Sequence, residues 1–301
     1  MKQLYYWPLL VLAGSALACA ADQRPKILGI DHVVFYTTST EANQHFYTAV
    51  LGLAAGAPLE NGAVQHFVVG TQWVAYRPPP EPQTNNRLDH IALTTEDVGA
   101  LRSYLEAQGV KVGDPVGVLK DGSRRFMVTD PEGHKIEFVE RAKSRIAPVM
   151  NGDPVSRRII HAGFLVRDRP AEDHFYRDIL GLHLYWYGGM QPGRTDWVAM
   201  QVPEGTDWLE YMLNAPADPD LRLTGVMNHI SLGVRDMKQA QAKLESHSWK
   251  PHGNEHAQMG KDGKWQLNVY DPDLTRIELM EFRPAQKPCC SEFQGQHPQE
   301  P

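Results

Sequence analysis

Seven side chains of this 301-residue chain could do chemistry together by type and spacing. His32, His90, His161 and His229 each stand near the start of an apolar run, in IDHVVFY, LDHIALT, IIHAGFLV and MNHISLGV. Glu137 and Glu278 stand in the runs KIEFV and RIELM, each after an Asp-Pro turn, at Asp130-Pro131 and Asp271-Pro272. If these runs are strands, alternate side chains face opposite ways, so Ile277 and Leu279 share a core face while Glu278 points away from it. Glu210, in WLEYM, alternates against Leu209 and Tyr211 in the same manner. A carboxylate turned into a buried sheet face costs on the order of several kcal/mol unless a cation or strong donors compensate it. A divalent metal supplies that compensation, and imidazole nitrogens with carboxylate oxygens suit Zn, Ni, Fe or Mn.

Two ligand sets follow. His161, Glu210, His229 and Glu278 form a four-ligand set, which carries the leading expectation. His32, His90 and Glu137 form a second, sparser set, because matching Trp73-Val74-Ala75-Tyr76 to Trp208-Leu209-Glu210-Tyr211 puts Ala75 where Glu210 stands. Two imidazoles and one carboxylate with open positions are the kind of set that serves non-haem Fe(II). Ala92, Gly163 and Ser231, two residues beyond a histidine, leave room beside the imidazole, whereas Val34 makes the first corner tighter. His45 and His174 fall on predicted helices and read as surface or packing residues. For Cys289 and Cys290, with His297 nearby, a soft-metal site, a solvated tail and a disulfide between adjacent residues all stay open. The tryptophans Trp73, Trp186, Trp197, Trp208 and Trp265 read as core or pocket wall.

The elements that must position these residues repeat. Glu137 and Glu278, Asp130 and Asp271, and the turns Lys120-Asp121-Gly122 and Lys261-Asp262-Gly263 are each 141 residues apart. His45-Phe46-Tyr47 with Leu51-Gly52-Leu53 returns as His174-Phe175-Tyr176 with Leu180-Gly181-Leu182. One unit of strand, helix and further strands therefore occurs four times, opening at Ile30, Leu88, Ile159 and Met227. The pattern predicts helices at about 40–50 and 237–246, another along the stripe Val98, Leu101, Tyr104 and Leu105, and one with Pro170 in its first turn. It also predicts strands near 112–119, 125–128 and 135–139. Each unit is too small to bury its own sheet face, so units must pair into strongly curved sheets with helices outside.

The first-strand histidine, the Phe-Tyr … Leu-Gly-Leu helix end and the Asp-Pro … Ile-Glu closing strand together resemble the vicinal oxygen chelate superfamily. That group holds glyoxalase I, the bleomycin-resistance proteins and the extradiol dioxygenases, and the resemblance runs from about Ile27 to Phe282. It implies an α+β fold of four βαβββ modules paired into two curved-sheet half-barrel domains, the glyoxalase/bleomycin resistance/dihydroxybiphenyl dioxygenase fold. The domains are expected at 27–141 and 158–283, joined by a linker at 142–157 and followed by a flexible tail at 284–301. The resemblance also implies a metal at symmetry-related strand ends and a small-molecule substrate chelated through two neighbouring oxygens. By it, the leading expectation is a divalent-metal enzyme of glyoxalase-like lyase or isomerase chemistry, with Glu210 and Glu278 as the catalytic carboxylates and Glu210 able to leave the metal as general base. Ring-cleaving members carry a Tyr ten residues before the last Glu, where this chain has Met127 and Asn268. Two alternatives stand beside the leading reading: an Fe(II) extradiol dioxygenase acting on a catechol-like compound, and a metal-free protein that sequesters a small molecule.

The net charge of −6, with no Lys/Arg-rich run, argues against nucleic acid as a partner. A hydrophobic content of 42 % and this length suit two globular domains with cores of their own. Residues 1–20, with Met1-Lys2, an apolar run from Leu4 and small residues at Ala16, Ala18 and Ala20, read as a bacterial secretory signal. Cleavage before Cys19 would leave a lipid-anchored protein, and cleavage after Ala20 a periplasmic one. Three cysteines do not make a disulfide scaffold. A homodimer is compatible with all of this.

Overall fold

The computed structural model describes residues 23–81, 84–143, 152–251, 253 and 255–301. The expected signal, with Cys19, and the middle of the expected linker lie outside these residues. The first half runs β1 (Ile27–Tyr36), α1 (Thr40–His45), β2 (Ala54–Ala55), β3 (Gln65–Val69), β4 (Gln72–Arg77), β5 (Leu88–Thr95), α2 (Val98–Ala107), β6 (Gly117–Val118), β7 (Arg124–Thr129) and β8 (Lys135–Glu140). The second half runs β9 (Ile159–Leu165), α3 (Arg169–Asp173), β10 (His183–Gly188), β11 (Trp197–Gln201), β12 (Trp208–Met212), α4 (Leu221–Met227), β13 (His229–Val234), α5 (Met237–Ser246), β14 (Gln258–Met259), β15 (Trp265–Tyr270) and β16 (Arg276–Glu281).

These are four βαβββ modules. Each half is one eight-stranded mixed sheet, ordered β2-β3-β4-β1-β5-β8-β7-β6 in the first and β10-β11-β12-β9-β13-β16-β15-β14 in the second. In every module the first strand pairs in parallel with the last, and modules join where two first strands, β1 with β5 or β9 with β13, meet antiparallel. Alternation then sorts the side chains: Val33, Phe35, Ile91, Leu93, Ile136 and Phe138 go to the core with Leu101 and Leu105 of α2. His32, His90, Ala75 and Glu137 take the other face. Aspartates cap α2, α3, α4 and α5, each side chain accepting an amide of the first turn.

Several expectations are corrected. The helix expected at 40–50 is α-helical only to His45 and continues as a π-helical turn, Phe46–Val50, as α3 does through His174–Ile179. The strand near 112–119 shrinks to β6 with one bridge at Val112, because this sheet edge is almost wholly solvated. The strand expected from Met227 begins at His229, since α4, capped by Asp220, occupies the preceding residues. The tail from Pro284 is not loose. It lies along the rim of the second sheet, where Phe293 packs on Tyr185, the Trp186 indole donates to the Cys289 carbonyl and the Gln294 amide donates to the Tyr185 carbonyl. Its Pro- and Gln-rich composition hid this, because the binding comes from rim groups seeking partners and not from apolar periodicity in the tail. Cys289 and Cys290 are joined by a disulfide.

The halves interlock through equivalent turns. The turn before β16 meets α1, where Asp271 Oδ1 accepts the Asp273 and Thr275 amides and Asn43 Nδ2 donates to Asp273 Oδ2 at 2.7 Å. Burial, with the Asp273 carboxylate beside it, pushes Asp271 up to about 7 against those backbone donors. A raised carboxyl pKa means that the folded chain binds the proton more tightly than the unfolded chain. Its stabilising contribution is therefore whole below about pH 4 and lost as pH rises towards 7. Asp271→Asn keeps the Oδ1 acceptor and removes the titration. Denaturation at pH 5 and pH 8 should show the variant losing less stability with pH than the parent, by on the order of a few kcal/mol. Equal pH slopes would refute this.

Candidate metal centres

The structure brings together both sets of residues singled out in the sequence. In the first half, His32 Nε2 lies 3.3 Å from His90 Nε2 and 3.2 Å from Glu137 Oε2, with His90 Nε2 at 3.9 Å from the same oxygen. In the second, His161 Nε2 lies 3.0 Å from His229 Nε2 and 3.2 Å from Glu278 Oε2, and Glu210 Oε2 lies 3.6 Å from His229 and 3.9 Å from His161. All seven residues are buried. The small residues two steps beyond each histidine make room for the histidine of the neighbouring strand, because Ala92 pairs with His32, Gly163 with His229 and Ser231 with His161. His45 and His174 lie on the surface, as expected.

The two centres differ behind their imidazoles. In the first half Asp31 Oδ1 accepts from His32 Nδ1 at 2.7 Å and Asp89 Oδ2 from His90 Nδ1 at 3.0 Å. A carboxylate can only accept, so each Nδ1 carries its proton, and the neutral ring presents its lone pair on Nε2. In a regular strand Asp31 would face away from His32. The pairing of β1 with β5 instead skips one residue between Ile30 and His32, and again between Leu88 and His90. Asp31 and Asp89 are therefore the extra residues of two β-bulges, which re-aim their side chains. The same bulge recurs before His161, but it holds Ile160, which packs with Tyr185 and Trp208. Among the described residues, His161 Nδ1 has no hydrogen-bond partner, and His229 Nδ1 reaches the Met227 carbonyl and Arg276.

Charge separates the centres further. Burial works against a charge on His32, but Asp31 and Glu137 raise its pKa; burial works against Asp31, yet His32 and Arg141 hold it down to about 2. Arg125 donates to Glu137 Oε1 at 2.8 Å, while buried Oε2 accepts no hydrogen bond and faces the imidazoles. In the first set Arg125 thus holds the far oxygen of Glu137 and leaves Oε2 to the imidazoles. In the second half a cation is built in beside an imidazole. The Arg276 guanidinium lies 2.6 Å from His229 Nε2. Fully buried Lys264 sits over the Tyr185, Trp208 and Phe293 rings, with burial pushing it down to about 8. Burial and Arg276 push His229 well below its ordinary value, and burial with the adjacent Glu278 pushes Glu210 up to about 8.

Access differs in the same direction. The first centre forms the floor of a cavity of about 640 Å³ walled by Val34, Leu59, Val64, Trp73, Val118 and Leu119. The second adjoins a space of about 80 Å³ lined by Trp186, Trp197, Trp208 and Phe293 of the tail. Trp73 lies flat on His32, with ring centres 3.5 Å apart, and Trp208 tilts over His161 at 4.7 Å. Trp265 is on the surface. Asp31, Asp89, Arg276 and Lys264 were not singled out in the sequence. The signal for the first two was an Asp directly before the first-strand histidine, present in both modules of the first half, whereas Ile160 and Asn228 precede His161 and His229 in the second.

Paired βαβββ modules with His/Glu centres at the ends of symmetry-related strands define a class of metal-binding and small-molecule-binding proteins. The profile of the Glyoxalase/Bleomycin resistance protein/Dioxygenase superfamily matches residues 29–138 and 158–279, and the chain belongs to this superfamily. An uncharacterized protein of Bacillus subtilis strain 168, YwbC, is 26 % identical over 127 residues, covering 37 % of this chain and 97 % of its own length. Among solved structures, the 2,3-dioxygenase LapB from Pseudomonas sp. KL28 superposes with a TM-score of 0.62 at 15 % identity, covering 88 % of this chain and 97 % of its own. Homoprotocatechuate 2,3-dioxygenase from Brevibacterium fuscum, in complex with 3,4-dihydroxyphenylacetate, superposes at 0.64 and 18 % identity, covering 86 % and 82 %. The fold is thus that of extradiol dioxygenases.

Proposed function

We propose that the chain is a metal-dependent enzyme whose working centre is His32, His90 and Glu137, and that its substrate is a small anion bearing adjacent oxygens. This moves the reaction to the set that the sequence ranked second. The observation that carries it is the convergence of two carboxylate-backed imidazoles and a carboxylate with an orphaned buried oxygen on the floor of the large cavity. That donor set fits iron(II) or manganese(II). Bound there, such an ion would supply Lewis acidity and, as iron, redox chemistry with dioxygen.

The chain's own residues do the rest. Asp31 and Asp89 hold the Nδ1 protons, Arg125 turns Glu137 so that Oε2 faces the imidazoles, and Trp73 keeps water from one side of His32. Arg77, Lys120, Arg125 and Arg141 line the cavity against Asp31, Glu60, Asp121 and Glu137, so its charges cancel before any metal is counted. A divalent ion would leave a positive excess that a dianionic chelating substrate restores to balance. Asp31→Asn and Asp89→Asn should each weaken metal affinity by roughly 10- to 100-fold while the fold is kept. A competition titration with a chromogenic chelator measures this, and unchanged affinity would remove the two aspartates from the centre.

The open three-ligand set favours an extradiol-type dioxygenase. Met127, opposite Glu137 where ring-cleaving relatives carry a Tyr, favours the second reading, a glyoxalase-like lyase or isomerase. Turnover of a panel of catechols, including 3,4-dihydroxyphenylacetate, and of hydroxy acids should be followed with and without oxygen. Oxygen uptake matched to catechol loss supports the first reading, and anaerobic turnover supports the second. No turnover, with no metal retained or taken up, would overturn both and leave a sequestering protein. We further propose that residues 1–20 direct export, which recovery of the chain only from the cytoplasmic fraction would refute.

A further inference from the structure

The two turns that lock the halves together are equivalent by the internal repeat, yet their chemistry differs. At the second, described above, Tyr47 and Thr275 donate to Asp271, Asn43 donates to Asp273, and Arg87 lies 3.9 Å from Asp273 Oδ1. At the first, before β8, Asp130 Oδ1 accepts the Glu132 and His134 amides, and the Tyr176 hydroxyl donates to Asp130 Oδ2 at 2.9 Å. Here Glu172 of α3 stands where Asn43 stands, and His134 where Thr275 stands.

Glu172 is fully buried; its Oε1 accepts the Glu132 amide at 3.0 Å, and its Oε2 has no hydrogen-bond partner among the described residues. His134 Nδ1 lies 2.8 Å from Asp130 Oδ2, and one ligand atom each of Asp130, His134 and Glu172 fall within 4.8 Å of one another. Both exchanges relative to the other turn replace a neutral side chain with one carrying a metal-ligand atom. Two carboxylates buried together, one with an orphaned oxygen, call for either a shared proton or a cation between them, and burial with Asp130 alongside pushes Glu172 up to about 9.

We propose that Asp130, His134 and Glu172 bind a divalent cation of the zinc or manganese class at the junction of the two halves. Two carboxylate oxygens and one imidazole nitrogen suit these ions. His134 ligates through Nδ1, releasing to solvent the proton otherwise directed at Asp130 and keeping the proton on Nε2, while Glu172 supplies Oε2. The site is separate from the His32 centre. It clamps module two to module three, and it stabilises the folded chain because the unfolded chain lacks it.

The test uses the mature chain stripped by a chelator and titrated with Zn²⁺ and with Mn²⁺, read as metal content by mass spectrometry and as melting temperature. A His32→Ala/His90→Ala double variant, lacking the first-half centre, should retain about one ion per chain and melt several degrees higher with Zn²⁺. Glu172→Asn and His134→Thr, each copying the residue of the equivalent turn, should bind one ion fewer than their parent and lose that shift. If Glu172→Asn takes up as much metal as its parent, or the folded double variant takes up none, the proposal is overturned. A proton shared between Asp130 and Glu172 would then be the surviving account, and Glu172→Asn would stabilise the metal-free protein. Should the double variant not fold, the comparison is made in the otherwise unaltered chain, where equal metal content in Glu172→Asn overturns the proposal in the same way.

Discussion

Glu137→Ala should cost the first-half centre its metal and lower turnover by about three orders of magnitude, while Glu278→Ala should leave both in place. Metal polarisation of a bound oxygen contributes on the order of 4 kcal/mol to a transition state, and each ~1.4 kcal/mol is tenfold in rate. Glu137 is the sole carboxylate of its set, and Ala75 stands where a fourth ligand would be, so nothing replaces it. In the second half Arg276 and His161 already hold Glu278 down, and Glu210, pushed up to about 8, keeps a proton. Circular dichroism keeps the reading clean, since Glu137→Ala also leaves Arg125 without its partner at 2.8 Å. Loss of metal and turnover in Glu278→Ala, with Glu137→Ala active, would return the reaction to the second half.

Gly163→Ala should destabilise the chain by about 3 kcal/mol. A Cβ on Gly163 would lie 2.0 Å from His229 Cε1 and 2.3 Å from Nδ1, and the ring is fully buried beside Arg276. Overpacking of this kind costs roughly 1–3 kcal/mol where neighbours can shift, and the upper end applies where they cannot. The first half makes the same point in reverse. Val34 is the residue opposite His90, so the His90 ring cannot fold back over β1 and instead reaches Asp89. Gly163 thus admits His229 to a position against Met227 and Arg276, and Val34 denies the equivalent position to His90. Urea denaturation checks the prediction, and a variant within ~0.5 kcal/mol of the parent would mean that Gly163 does not set the imidazole position.

The repeat itself needed no structure. Alternation in short strands places Glu137, Glu210 and Glu278 on the face opposite the core, and a 141-residue offset pairs the modules, because burial imposes a period of two on any strand with one covered face. The seven His and Glu residues, the four modules and the two paired sheets follow from that pattern. So does the match of Ala75 to Glu210, which the strand register bears out at Ala75 beside Val34 and Glu210 beside Gly163.

What only the tertiary structure decided is how the two centres differ. A β-bulge leaves no periodic trace, yet it alone turns Asp31 and Asp89 towards the histidines that follow them. Arg276 and Lys264 read as ordinary strand and turn cations until packing aims them at His229 and at the Tyr185 and Trp208 rings. Their counterparts Lys135 and Ser123 do neither: Lys135 turns to Asp89, and Ser123 bonds within its turn. The tail is the last such case, since a Pro- and Gln-rich segment has no apolar stripe of its own and acquires its position from the unsatisfied rim of the sheet it covers. Sequence determined which residues could act, because strand alternation is local. Long-range packing determined which of them face a large cavity, because bulges, built-in cations and a covering tail involve residues far apart in the chain.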